Sequence, residues 1–252
     1  MKTICFASIK GGTGKSSLSI LAANRTAASG NRVLVIDLDL QNSATFYYLD
    51  NPELAERRHV ANALRTGDLA SNIIPSNYMG VDIIPSSFDL TRIHEVGLDC
   101  LRTALDGISD SYDFAFIDTA PTYDNLVLNA INASDFVITP VRFSRFDYKG
   151  ALFLRDQIGI DTEKAGNWRI LFNFYCQDRS TRADSDRKLY EQLFRGAFDD
   201  IVLPVTIPET VLVRKAIDKL ERITTAVSKS ALHGAIGQLV MQCGVTGNAG
   251  RF

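Results

Sequence analysis

The chain has 252 residues, 46% of them hydrophobic, and its 27 Lys and Arg against 29 Asp and Glu give a formal net charge of −2. This composition supports a buried core and excludes a strongly basic nucleic-acid binder, although a local basic patch stays open. The four cysteines lack the spacing of a zinc or iron–sulfur site. No apolar run approaches the ~20 residues of a membrane span, and Lys10 comes too early for a signal peptide. We therefore expect a cytoplasmic location.

Apolar runs typical of strands alternate with helical stretches. Runs such as 33–36 and 114–117 are apolar on both faces, as parallel strands covered by helices require. The alternation predicts an α/β fold in which residues 1–252 form a single domain, with a doubly wound, mostly parallel sheet flanked by helices. The predicted strands are 2–9, 32–38, 81–84, 112–118, 135–140, 168–174 and 200–204; the predicted helices are 15–29, 87–107, 123–133, 146–158, 182–196, 209–222 and 225–242. Residues 42–80 are the least regular, and we expect short helices and loops there.

The first predicted strand runs into a glycine-rich segment and then into a helix. Residues 10–16 read K-G-G-T-G-K-S, which fits the end of the phosphate-loop pattern G-x-x-x-x-G-K-[ST], although Ile9 stands where its first glycine belongs. In such loops, backbone N–H groups at the positive end of a helix bind phosphate oxygens, and side chains in place of the glycines would obstruct them. Lys15 would reach the β- and γ-phosphates, and the Ser16 hydroxyl would ligate Mg²⁺.

Three segments together resemble the motifs of the ParA/MinD family of deviant Walker A ATPases, most closely its small partition ATPases. Residues 10–16 resemble K-G-G-x-G-K-[ST], residues 33–41 resemble a strand ending in D-x-D-P-Q, and residues 114–121 resemble a Walker B strand ending in D-x-P-P. Leu40 and Ala120 replace family prolines, which we expect to alter only loop stiffness. The resemblance implies a P-loop NTPase that binds ATP and Mg²⁺, with the phosphates held by Gly11, Gly12, Thr13, Gly14, Lys15, Ser16 and Ser17.

Aspartates follow or end two of the predicted strands. Asp118 would hold Mg²⁺ through water, as Walker B acids do, and its alternative is a helix N-cap. Asp37 and Asp39 are two residues apart and point to the same side of their strand end. By resemblance, Asp39 positions or activates the attacking water and Asp37 supports the Mg²⁺ shell; alternatively, one of them is a solvated turn residue.

Lys10 has a distinct expected role. In ParA-like proteins the corresponding lysine reaches across a dimer to the partner's phosphates, and such a cation neutralises developing charge as an arginine finger does. The resemblance thus places Lys10, together with Lys15 and Asp39, among the catalytic residues. Without its glycine context, Lys10 would be read as an exposed lysine beside a loop.

Residues further along the chain suggest base and DNA contacts. Asn173 ends a predicted strand where this family often supplies an Asn to the base, but Asn is also a common turn residue. The segment 203–209, with Pro204 and Pro208, occupies the place of the family's other base-side loop. A basic stripe suited to sequence-independent phosphate contacts is formed by Lys215, Lys219 and Arg222, with Arg214 adjacent. Asp218 and Glu221 dilute this stripe, so ordinary solvation is the alternative.

The resemblance implies a ParA-type ATPase for plasmid or chromosome partition. Such a protein forms a homodimer with ATP, binds non-specific DNA of the nucleoid, and hydrolyses ATP under stimulation by a ParB-like centromere-binding protein. The alternatives are a MinD-like or other positioning ATPase that acts on protein or membrane, and an ATP-dependent metabolic synthase on the same fold. No stable membrane association is expected, because residues 231–241 carry no Lys or Arg and two glycines weaken the helix.

Overall fold

A computed structural model describes residues 1–51, 53–93, 96–175, 181–210 and 231–246. Within these ranges, one sheet has the strand order β3-β4-β2-β5-β1-β6-β7-β8. Its strands are β1 (Lys2–Phe6), β2 (Val33–Leu38), β3 (Ile74–Pro75), β4 (Val81–Ile84), β5 (Phe114–Thr119), β6 (Phe136–Val141), β7 (Trp168–Tyr175) and β8 (Val202–Pro208). Neighbours pair in parallel except β3 and β4, which are antiparallel. The predicted mostly parallel sheet is confirmed, and β3 is an edge strand that the sequence did not indicate.

Helices cover both faces of this sheet. They are α1 (Lys15–Ala28), α2 (Ser43–Tyr48), α3 (Leu54–Arg57), α4 (Val60–Thr66), α5 (Cys100–Asp106), α6 (Asn125–Asn132), α7 (Arg145–Asp161), α8 (Thr181–Phe198) and α9 (Ala231–Gln242). Short 3₁₀ turns lie at Ala70–Asn72, Phe88–Arg92, Ala165–Asn167 and Asp199–Ile201. None of the helices in the described ranges is long and apolar enough to cross a lipid bilayer.

The two hydrophobic layers follow from the period of two along each strand. Ile4 and Phe6 pack with α1, α2 and α9 on one face, whereas Cys5 and Ala7 pack with α4 to α8 on the other. The strands are therefore apolar on both faces, as the sequence pattern predicted, and the polar side chains of the central strands gather at the strand ends.

Several predicted boundaries were wrong. The predicted helix 87–107 is instead a 3₁₀ turn at Phe88–Arg92, capped by the Ser87 hydroxyl, and a separate helix α5; Gly97 interrupts the helical pattern between them. The predicted strand 2–9 ends at Phe6, and the predicted strand 200–204 runs over Val202–Pro208. The region 42–80 does contain short helices and loops. The predicted helix 209–222 and the start of the predicted helix 225–242 lie largely outside the described residues.

Candidate nucleotide-binding site

The segment between β1 and α1 forms a loop that is folded back on itself. The Ser8 hydroxyl donates a hydrogen bond to the Lys10 carbonyl at 2.9 Å and lies 2.9 Å from the Thr13 hydroxyl. Gly12 and Gly14 adopt φ angles of +74° and +92°, which favour glycine. Helix α1 then begins without a side-chain cap or an acidic residue in its first turn. This geometry provides a helix N-terminus suited to an anion.

Lys15 lies in the first turn of α1, where its side chain is largely buried. The residue is 6% exposed, and this burial lowers the pKa of the Lys15 ammonium, while Asp118 and Asp39 act in the opposite direction. Ser16 and Ser17 follow on the same turn and are half-buried. A desolvated ammonium at a helix N-terminus is stabilised by an anionic ligand, which fits the predicted role of Lys15.

Asp37 and Asp118 lie directly opposite each other on the paired strands β2 and β5, and both are fully buried. Asp37 accepts hydrogen bonds from the Asp39 N–H at 3.0 Å, the Thr45 N–H at 2.9 Å and the Thr45 hydroxyl at 2.8 Å. Burial nevertheless raises the pKa of Asp37 to about 6. The oxygens of Asp37 already accept hydrogen bonds from the protein, and through Thr45 they hold the start of α2. Asp37 can therefore support a bound metal only indirectly, without ligating it.

Asp118 is in the opposite situation. Neither of its carboxylate oxygens has a hydrogen-bond partner among the described residues. Burial, followed by the charge of Asp37, raises the pKa of Asp118 well above its usual value, and the nearby Ser16 hydroxyl and Lys15 oppose this shift. The N-cap alternative for this residue is wrong, because Asp118 lies within β5 and Asp124 caps the following helix α6.

The donor set at Asp118 fits Mg²⁺. Its unpartnered buried oxygens are hard ligands, and the Ser16 hydroxyl is close enough to influence the Asp118 pKa. Within the described ranges, no group of three or more His, Cys, Asp or Glu is placed to hold a metal by itself. Mg²⁺ commonly takes one or two carboxylates and completes its shell with phosphate and water. Asp118 and Ser16 are thus the residues that would hold it.

Asp39 lies just beyond the end of β2 and is 8% exposed. One of its carboxylate oxygens accepts a hydrogen bond from the Gln41 N–H at 2.9 Å. Its position beyond the strand end is compatible with contact to a water molecule at the phosphates. The assignment of Asp39 to the attacking water stays a prediction.

Lys10 lies in an ion pair that the sequence did not indicate. Its ammonium is 2.5 Å from a carboxylate oxygen of Asp147 and donates a hydrogen bond to the Ser144 hydroxyl at 3.3 Å. Ser144 caps helix α7, and Asp147 lies in its first turn. The Lys10 side chain is 35% exposed, whereas that of Asp147 is 1% exposed. In this structure the lysine expected to act across a dimer is therefore held within its own chain.

The predicted base-side residues are not all brought together. Asn173 lies against the phosphate loop, where its amide donates a hydrogen bond to the Thr13 carbonyl. Pro208 ends β8 opposite Tyr175, at the same edge of the sheet, but Pro204 lies earlier in that strand. A base contact by these residues stays a prediction. The predicted DNA contacts Arg214, Lys215, Lys219 and Arg222 lie outside the described residues.

Comparison with known proteins identifies the class. A protein family described as "AAA domain" matches residues 1–166. A virulence plasmid ParA family protein of Chlamydia psittaci is 28% identical over 91% of this chain and 89% of its own length. The chain therefore belongs to this AAA domain family and resembles its ParA-type members, which confirms the resemblance found in the motifs. An uncharacterized protein of Pseudomonas putida is 38% identical over 62% of each chain, so this chain spans less than two thirds of that relative's length.

Solved structures agree with this classification. A putative plasmid partition protein from Borrelia burgdorferi bound to AMPPNP has a TM-score of 0.77 and 26% identity, with coverage of 95% of this chain and 97% of that chain. A cobyrinic acid a,c-diamide synthase from Mycobacterium smegmatis with bound ADP and magnesium has a TM-score of 0.70 at 23% identity and shows the fold alone. The fold is that of P-loop nucleotide-binding proteins.

Proposed function

We propose that this protein is a Mg²⁺-dependent ParA-type ATPase that takes part in plasmid or chromosome partition. The observation that carries the proposal is the buried Asp118 carboxylate, whose oxygens lack partners in the described part of the chain. This carboxylate lies opposite Asp37 at the sheet edge that also bears the phosphate loop. The likeness to plasmid partition proteins supports the biological role.

Each residue of the site has a distinct role in the proposed mechanism. The loop backbone from Gly11 to Gly14 and the Lys15 ammonium bind the triphosphate, and Asp39 orients the attacking water. Bound Mg²⁺ supplies positive charge that offsets the negative charge on the transferring phosphate. Ser16 and Asp118 provide the oxygens that hold it, and Asp37 fixes the loop that follows β2.

The nucleotide state controls assembly in this proposal. ATP favours a homodimer in which Lys10 contacts the phosphates of the partner subunit, and the dimer binds non-specific DNA. A ParB-like centromere-binding protein stimulates hydrolysis and thereby returns the protein to monomers. Nucleotide binding biases a two-state equilibrium because it stabilises the dimer more than the monomer. The protein is then cytoplasmic and associates with the nucleoid when ATP is bound.

Calorimetry and co-sedimentation test this function. We expect ATP with Mg²⁺ to release heat on binding, and the Lys15→Ala variant to lose that signal. We further expect plasmid DNA, without regard to its sequence, to pellet the protein with ATP and not with ADP, and the association to weaken as salt increases. Absence of nucleotide binding would remove the ATPase proposal. ATP-dependent pelleting with anionic liposomes but not with DNA would favour a positioning ATPase that acts on membranes.

A further inference from the structure

Asn173 connects two parts of the fold that are not neighbours in the sheet. It lies in β7, which is separated from β1 by β6, and it is 5% exposed. Its amide nitrogen donates a hydrogen bond to the Thr13 carbonyl at 2.7 Å. Its amide oxygen accepts one from the Phe174 N–H at 2.9 Å. Both ends of the amide are therefore engaged, one of them with the phosphate loop.

The amide of Asn173 also packs directly on the Gly14 backbone. A Cβ atom added at Gly14 would lie 2.4 Å from the Asn173 amide nitrogen and 3.4 Å from the Phe174 ring. Such a separation is shorter than real Cβ contacts, and the φ angle of +92° at Gly14 adds a second reason for glycine. Glycine at position 14 therefore makes room for a side chain of β7.

Thr13 is held from two sides. Its hydroxyl lies 2.9 Å from the Ser8 hydroxyl, while Asn173 holds its carbonyl. In a trans peptide group the C=O and N–H bonds point in opposite directions. Fixing the Thr13 carbonyl toward Asn173 therefore fixes the Gly14 N–H in the direction away from Asn173. The structure contains no hydrogen bond from this N–H to another described residue.

We propose that Asn173 is a positioning residue for the phosphate loop: by holding the Thr13 carbonyl, it orients the Gly14 N–H toward a bound phosphate. This inference rests on the proposed nucleotide binding and deepens it. It assigns Asn173 to the phosphate end of the ligand, in contrast to the base contact expected from the sequence. A backbone N–H that is oriented before the ligand arrives binds the phosphate more tightly, because the loop loses less conformational entropy on binding.

The backbone of β7 supports this orientation. Phe174 has a φ angle of +55°, which is uncommon for a bulky residue and strained. The Arg142 guanidinium lies 4.0 Å from the centroid of the Phe174 ring. The N–H of the same residue donates the hydrogen bond that holds the Asn173 amide oxygen, and this bond contributes to the direction of the Asn173 side chain.

Phosphate positioning and base recognition predict different ligand dependence. A residue that orients a phosphate-binding N–H affects every triphosphate equally, whatever base it carries. A residue that reads adenine changes the ratio between the affinities for ATP and GTP. Inorganic tripolyphosphate carries no base and therefore reports the phosphate contribution alone.

The experiment measures dissociation constants of the wild type and Asn173→Ala for ATP, GTP and tripolyphosphate, by competition against a fluorescent ATP analogue well below the unfolding temperature. We expect all three affinities to fall by the same factor, about tenfold, with the ATP-to-GTP ratio unchanged. Loss confined to ATP, or three unchanged constants, would overturn the inference. If the wild type itself binds no nucleotide, the proposed function fails, and the inference fails with it.

Asn72 provides a matched control. It is also 5% exposed, its amide nitrogen donates to the Asp68 carbonyl at 2.8 Å, and its amide oxygen accepts from the His59 N–H at 3.1 Å. Asn72→Ala should lower the unfolding temperature to a similar extent as Asn173→Ala, yet leave the three dissociation constants unchanged. Should Asn173→Ala not fold, Asn173→Ser gives the same test, because its shorter side chain does not reach the Thr13 carbonyl.

Discussion

The Lys10 ammonium and the buried Asp147 carboxylate form an ion pair with a separation of 2.5 Å, although they are 137 residues apart in sequence. Ser144 contacts both members of the pair. Delivery of Lys10 to the phosphates of a partner subunit requires this pair to open. Its opening leaves a carboxylate with 1% side-chain exposure without its cation, which is costly. In the proposed dimer, the pair would therefore oppose assembly until the partner's phosphates replaced Asp147.

We predict that Asp147→Asn strengthens ATP-dependent dimerisation, by up to about tenfold, because Lys10 no longer leaves a negative charge behind. Lys10→Ala should weaken dimerisation, since the partner's phosphates lose a cation. Sedimentation velocity with ATP, over a range of protein concentrations, measures both effects. Asp156→Asn is the matched control: this aspartate lies on the same helix, but it is exposed and pairs with Arg155. An unchanged dimer in Lys10→Ala would refute the role of that lysine.

The second prediction concerns Asp39. We expect Asp39→Ala to bind ATP with nearly normal affinity and to hydrolyse it about 100-fold more slowly or worse, because the attacking water is no longer oriented. Calorimetry and phosphate release measure the two quantities. Asp39→Asn retains an acceptor for the Gln41 N–H and lacks only the charge. Normal turnover by Asp39→Asn would show that the carboxylate is not required and that the loss in Asp39→Ala comes from the loop.

Local patterns were sufficient to predict much of the sheet and the positions of the glycine-rich loop and of two buried aspartates. Strand, glycine-rich loop and helix follow each other within residues 1–28, so their arrangement needs no long-range information. Asp37 and Asp118 each end an apolar run, and the rule that carboxyl ends of parallel strands share one edge brings them together.

Contacts that depend on tertiary packing were not predictable. The partners of Lys10 and Asn173 are 137 and 160 residues away, and nothing near either residue indicates them. The sequence pattern placed Asn173 near the carboxyl end of β7, but it indicated neither the hydrogen bond to the Thr13 carbonyl nor the positive φ angle of Phe174. A strained backbone angle of this kind has no signature in the amino-acid types, apart from the glycine that faces it.

The third prediction is a pH dependence of stability. The pKa of Asp37 is raised from 3.8 to about 6 in the folded protein, so between these pH values the folded state holds a proton that the unfolded state releases. The free energy of unfolding should therefore fall as pH rises through this window, by up to about 3 kcal/mol for this residue. Urea unfolding of the wild type and Asp37→Asn at pH 4 and pH 7, without nucleotide or Mg²⁺, measures the contribution of Asp37 together with its effect on the neighbouring Asp118. We expect the deficit of Asp37→Asn to be larger at pH 4; a deficit independent of pH contradicts the assignment.

The fourth prediction separates the structural and metal-binding roles of Asp118. Its buried oxygens have no partners in the described part of the chain, so Asp118→Asn removes a poorly solvated acid at almost constant volume. The unfolding temperature without nucleotide should stay the same or rise. The additional stabilisation that Mg²⁺ gives in the presence of ATP should disappear, because the variant lacks the charged oxygen that would hold the metal. Thermal unfolding with ATP, in either EDTA or Mg²⁺, measures both quantities.

Asp113 is the matched control for this measurement. It lies just before the start of β5 and accepts hydrogen bonds from the Arg32 N–H and the Arg32 guanidinium. Its side chain is 39% exposed to solvent. Asp113→Asn weakens the ion pair with Arg32, so its unfolding temperature should fall slightly while its response to Mg²⁺ stays intact. Opposite behaviour of the two variants is expected, since Asp113 is paired with Arg32 whereas the Asp118 oxygens have no partner among the described residues. If Asp118→Asn keeps the full Mg²⁺ response, Asp118 does not hold the metal.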